Sequence, residues 1–305
     1  MLRRSAMLTG LVLFLSPMVS GAYPQEPPRP TSLNECTGTT VTPRLGTRVL
    51  RKSKPHQTLC FSAGIYRQGI TAKEGQKLVA SPGTVLKGRG KGIGIKVRRG
   101  GSARGFEVLR YAIGIKTVHN TTVANNFVHH NKEVGINAYG KGIVIRGNKI
   151  AYNFFKGDES QPRACWGKGG AYMANTRRLL FKRNRVHHNV CDGVHFDVGS
   201  RRGRVVRNRT MRNTRFGIFF EASCDGNIKR NTSRRNRGGG VGVSTSLRVR
   251  VHHNRFGDNG RRIGVLIWDH KGHKGVEPKC NPNYRSGGHR VYENRMHGDK
   301  VIRRK

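Results

Sequence analysis

Short runs in which apolar and polar residues alternate recur along most of the chain. Gly193, Val194, His195, Phe196, Asp197 is one such run, and Gly217, Ile218, Phe219, Phe220, Glu221 repeats it. Alternation over so few residues predicts half-buried strands, not helices. A second kind of apolar run, such as Ile143 to Ile145, Leu179 to Phe181 and Val249 to Val251, ends close to an asparagine. A third follows that asparagine, as in Lys149 to Tyr152. The asparagines come in pairs five apart: Asn126 and Asn131, Asn148 and Asn153, Asn184 and Asn189, Asn208 and Asn213, Asn231 and Asn236, Asn254 and Asn259. Successive pairs are separated by 22, 36, 24, 23 and 23 residues, so one step alone carries an insertion. A glycine usually follows nine residues after the first asparagine of a pair, as at Gly135, Gly157, Gly193, Gly217 and Gly240. A fixed period with three short strands describes one coil of a solenoid, whose neighbours stack about 4.8 Å apart in three parallel sheets. Asparagine suits the corners, since it tolerates left-handed backbone and its amide can bond the same amide one coil away.

These features resemble the right-handed parallel β-helix repeat proteins of the pectate-lyase-like superfamily. The resemblance rests on the Gly-Ile and Gly-Val strand starts and the paired asparagines, and it covers roughly Gly64 to Asp269. It implies an all-β, single-stranded solenoid with three parallel sheets. It says little about activity, because the superfamily holds polysaccharide lyases, glycoside hydrolases, uronan epimerases and proteins of no known activity. On this reading residues 1–21 are a signal peptide, 22–62 an N-terminal cap or linker, 63–270 the repeats, and 271–305 a C-terminal cap or tail. In that tail Val291, Tyr292, Glu293, Asn294 forms a partial rung. The first segment has a basic head at Arg3 and Arg4, a short apolar run broken by Pro17, and small residues at Gly21 and Ala22, which predicts export with cleavage there. No later segment is long and apolar enough to span a bilayer. The expected location is secreted, periplasmic or at the cell surface, and the expected state is monomeric.

Six cysteines, an even number in an exported chain, predict disulfides. Cys165 and Cys191 both fall just before the glycine of neighbouring coils, Cys36 with Cys60 would staple the cap, and Cys224 and Cys280 are left over. Without a Cys-x-x-Cys pair a structural zinc site is not expected. Charge changes the picture more: 59 Lys and Arg against 16 Asp and Glu leave a net +43. Such a balance draws in polyanions through counterion release. The arginines replace ordinary surface residues throughout and do not form one cluster, which is also what a general basic bias would give.

Positions two and four after each strand glycine point outward. They form a column of Asn137 and Tyr139, Tyr172 and Ala174, His195 and Asp197, Phe219 and Glu221, Gly242 and Ser244, Leu266 and Trp268. Asp197 and Glu221 then sit roughly 5 to 6 Å apart across one coil step. They are the candidates for acid/base catalysis, or alternatively for holding calcium. The competing reading is that they only neutralise arginines such as Arg201, Arg202 and Arg215. His195 is the candidate proton shuttle, and Tyr172, Phe219 and Trp268 offer flat faces to sugar rings. The insertion from Asp158 to Lys168 would wall a groove and bring Lys168 to substrate. The pairs His129 and His130, His187 and His188, and His252 and His253 are set aside as ligands, since neighbours on a strand face opposite ways. The resulting expectation is a secreted carbohydrate-active protein that binds an acidic polysaccharide and cleaves or epimerises it, with either calcium or no cofactor. The alternative is a non-catalytic basic surface or adhesion protein that binds polyanions.

Overall fold

The computed structural model describes residues 36–155, 164–269 and 287–304. The signal segment, Asp158, Glu159 and Cys280 lie outside the described residues. The strands form three parallel sheets of eleven, ten and nine strands, and each coil gives one strand to each sheet. One coil, for example, runs through Phe216–Glu221 in the ten-stranded sheet, Asn227–Lys229 in the eleven-stranded sheet and Thr232–Arg234 in the nine-stranded sheet. Alternate residues fill the interior: Val194, Phe196, Ile218, Phe220, Val241 and Val243 are fully buried. Like residues lie over like, so Phe196 stacks on Phe220 with ring centres 4.5 Å apart. The stack already includes Thr39–Val41 and Thr58–Phe61, joined to it in the eleven-stranded sheet, and the Cys36–Cys60 disulfide ties this end down. At the other end Arg290–Tyr292 and Lys300–Arg303 extend two of the sheets.

The asparagine columns form as the period predicts. The side-chain amide of Asn126 donates to the Oδ1 of Asn148 at 3.0 Å, and the same bond continues through Asn184, Asn208, Asn231 and Asn254 to Asn294. Even across the 36-residue step the bond is 3.0 Å, so the insertion does not offset the column. Each Oδ1 also takes the backbone N–H of the preceding asparagine, as in Asn184 to Asn208 at 2.8 Å. Each buried amide thereby satisfies the corner of its neighbour as well as its own. The second column runs from Asn131 to Asn259 and ends on Asp299, whose carboxylate accepts from the Asn259 side chain at 2.6 Å.

The left-handed backbone lies elsewhere than predicted. It is the residue before each ladder asparagine that has positive φ: Asn125, His130, Tyr152, Arg183, His188, Arg207, Arg212, Arg230, Arg235, His253 and Asp258. The asparagine itself must keep its amide turned inward, so the preceding residue makes the turn and sends its side chain to solvent. Arginine there accepts a cost of about 1–2 kcal/mol per residue, which the paired amides behind it offset. The same turn overturns the reason for setting the histidine pairs aside. The second histidine of each pair has positive φ, and the two rings converge, with Nδ1 atoms 2.7 Å apart in His129–His130 and 2.8 Å in His187–His188 and His252–His253.

Candidate functional site

The ten-stranded sheet registers the predicted column as expected: Tyr172 pairs with His195, His195 with Phe219, and Ala174 with Asp197. Its outward face is nevertheless covered, which corrects the expectation of solvent-facing side chains. His195 and Phe219 are each 2% exposed, and Asp197 is 9% exposed. The reason is the bulk of this face. Phe216, Phe219, Ile263 and Leu266 form an apolar cluster with Trp268 packed against it. Gly242 makes room for that stack, since a Cβ there would come within 3.0 Å of both the Phe216 and Phe219 rings. Trp268 therefore lies parallel to Phe219 at 5.5 Å across the intervening coil. Phe219 spends its face on packing and has none left for a sugar ring.

Beneath this cover sits a polar cluster. Tyr172 donates its hydroxyl hydrogen to Asp197 Oδ2 at 2.5 Å, and the other Asp197 oxygen takes the Val198 N–H at 2.7 Å. His195 Nε2 lies 3.3 Å from Glu221 Oε2, and its Nδ1 lies 3.7 Å from Asp192 Oδ2. The His195 ring meets Tyr172 edge-on and Phe219 at a tilt. Burial alone would lower the His195 pKa, but the Glu221 carboxylate 3.3 Å away, with the charges of Asp197 and Asp192, outweighs it and raises the value. Burial raises the Tyr172 phenol, and the charge and hydrogen bond of Asp197 raise it further. Both groups are thus held as proton carriers against carboxylates.

Two members were not singled out from the sequence. Asp192 is wholly buried, accepts the Phe216 N–H at 2.9 Å, and has its pKa raised by burial. Its only signal was a carboxylate directly before the strand glycine, in a column not weighed. Arg215 had been grouped with arginines that Asp197 and Glu221 might neutralise, but it reaches Asp192 at 3.7 Å, with its guanidinium 5.8 Å from the Phe219 ring centre.

The loop comes to the same region. Cys165 and Cys191 are bonded, and Gly167 lies against the Tyr172 ring. Lys168 places its ammonium over the Phe154 ring at 4.7 Å, beside the apolar group formed by Phe154, Cys165 and Cys191. Cys224 is also disulfide-bonded.

His195, Asp197 and Glu221 offer ligand atoms within 4.8 Å of one another. Calcium takes six to eight oxygen ligands. This set fits it poorly, with a ring nitrogen among three donors and both Asp197 oxygens already accepting hydrogen bonds.

Residues 111–279 match the family described as the right handed beta helix region, and the chain belongs to that family. No curated protein sequence matches it. Among solved structures, the A-module of Azotobacter vinelandii mannuronan C-5 epimerase AlgE4 superposes with a TM-score of 0.62 at 16% identity, over 78% of each chain. The periplasmic alginate epimerase AlgG gives 0.55 at 14% identity, over 84% of this chain and 83% of that one. Dettilon tailspike protein gives 0.59 at 13% identity; the match covers 87% of this chain but only 62% of the tailspike. At these identities the likeness is one of fold. No helix of the described residues is long and apolar enough to cross a membrane.

Proposed function

We propose that this chain is an exported protein that binds an acidic polysaccharide on the outward face of the ten-stranded sheet and abstracts a proton beside a sugar carboxylate, as a lyase or an epimerase. The observation that carries the reading is the pairing of two proton carriers with two carboxylates in one cluster, Tyr172 with Asp197 and His195 with Glu221. Tyr172 and Glu221 keep some solvent contact while His195 and Asp192 lie beneath them. Substrate therefore meets Tyr172 and Glu221 first. Arg215, part exposed beside the cluster, is the cation placed to neutralise the sugar carboxylate and so acidify the neighbouring C–H. A carboxylate of the cluster takes that proton. Protonated His195 or Tyr172 returns one, either to the leaving glycosidic oxygen, giving an unsaturated sugar, or to the opposite face of the carbanion, giving the epimer. That two of the fold neighbours are by name epimerases of mannuronan or alginate supports this substrate class.

A second reading has its own observation. Arginines occupy the outward corner position at Arg183, Arg207, Arg212, Arg230 and Arg235, spread over two corners of the solenoid. That distribution favours a non-catalytic polyanion binder. Incubation of the mature protein with a panel of uronans, with and without calcium, separates the two. Unsaturated products, or incorporation of deuterium from D2O at the sugar C5, are expected for the first. Binding without either would leave the second.

A further inference from the structure

The pair His252–His253 differs chemically from the other two histidine pairs. His252 Nε2 lies 3.1 Å from the Oδ1 of Asn227, and His253 Nε2 lies 2.9 Å from the Oε2 of Glu293. Both partners are acceptors, so both Nε2 atoms carry the hydrogen. In the neutral tautomers this leaves two Nδ1 lone pairs facing each other at 2.8 Å. A third proton or a metal ion must lie between them. His187–His188 escapes the conflict, since His187 Nε2 has no hydrogen-bond partner and leaves its tautomer free; in His129–His130, His129 Nε2 lies 3.1 Å from Glu107 Oε1, which leaves His130 to donate from its Nδ1.

The separation also selects the kind of ion. With metal–nitrogen bonds of about 2.0–2.1 Å, two nitrogens 2.8 Å apart subtend roughly 85–90°. A tetrahedral angle of about 109° would need them about 3.3 Å apart. Right-angle chelation by imidazoles is the preference of copper(II) and nickel(II), not of zinc.

We propose that His252 and His253 form a bidentate copper(II)-type site, in which the two Nδ1 atoms chelate one ion and water completes a square-planar set. The surroundings hold the chelate in place. Tyr292 stacks on the His252 ring at 4.8 Å, and the Glu293 carboxylate behind His253 orients that ring. Lys229 and Arg250 near His252 repel a cation, while Glu293 attracts it. His253 is about half exposed, so the site is open to exchange with solution.

The test is titration of the full mature chain with copper(II) against glycine as competing chelator, read by electron paramagnetic resonance. The wild type should show an axial signal with coupling to two nitrogens. His253→Gly should lose one copper equivalent while keeping its fold, because the equivalent corner before Asn148, four coils earlier, carries Gly147, also at positive φ. Glu293→Ala should weaken the site by about tenfold or more without abolishing it. If His253→Gly binds as many copper equivalents with the same spectrum as the wild type, the pair is held by a shared proton and the proposal fails.

Discussion

Replacing Glu221 by glutamine keeps the shape of the side chain and removes its charge, so it isolates what that charge does for His195. In the wild type the imidazole is 2% exposed and its Nε2 is 3.3 Å from Glu221. A hydrogen bond between charged groups contributes about 1.5–3 kcal/mol. Asp192 and Asp197 remain near the ring in the variant, which places the expected loss near the middle, at about 2 kcal/mol. The sign with pH follows from the raised His195 value. A histidine whose pKa is higher folded than unfolded contributes stability that is fully present below its unfolded value of about 6.5 and is lost as pH rises through the folded value. In Glu221→Gln the close carboxylate contact, which raises it most, is gone, and desolvation pulls the value down. The variant should therefore be less stable than the wild type by about 2 kcal/mol near pH 5, and by less near pH 9, as rising pH takes the proton from the ring. Equilibrium urea unfolding followed by circular dichroism at the two pH values measures this. An equal loss at both, or none in acid, would refute the assignment of His195 as a charged partner of Glu221.

Asn208→Ala, in the middle of the column, removes the acceptor of the Asn184 backbone N–H and amide and the donor to Phe181 O and Asn231. It should cost about 2–4 kcal/mol in the same unfolding measurement, since at least one buried N–H is left without a partner. Binding of heparin-like or nucleic-acid polyanions to the +43 chain should fall about a thousandfold or more between 50 and 200 mM salt if six or more basic side chains engage. Filter binding across that salt range reads the slope, and salt-independent affinity for a neutral glycan would contradict it.

The architecture was legible because a solenoid writes its period into sequence: each coil must bury alternate residues and turn the same corners. The partial rung at Val291 to Asn294 was legible too, and Asn294 takes the end of the first column although it stands 40 residues beyond Asn254. The pairing of Asp197 with Glu221 and His195 on one sheet was legible for the same reason. Their burial was not, because strand alternation tells which side of a sheet a residue faces but not what else is packed over that side. Phe216, at the start of its strand, and Trp268, two coils on, cover Phe219 only because Gly242 between them lacks a side chain. Asp192 was missed because it stands just before the strand glycine, where the outward alternation does not reach, though it lies beside His195 of its own coil and Phe216 and Arg215 of the next. The histidine pairs were misread because a strand rule was applied to residues that sit on a corner.

The second asparagine column gives the molecule a polarity. Along the column of side chains every amide donates to its neighbour toward the C-terminal end, starting from the Tyr111 backbone N–H on Asn131 and finishing on Asp299. An asparagine at that last position would present a fresh amide hydrogen, the group that the next coil of another molecule would accept. Asp299 has none to present while ionised, so the column that builds the solenoid ends in a group that refuses its continuation. Filament growth by copies stacking end to end is discouraged at the level of one atom, the nitrogen that asparagine has and aspartate lacks.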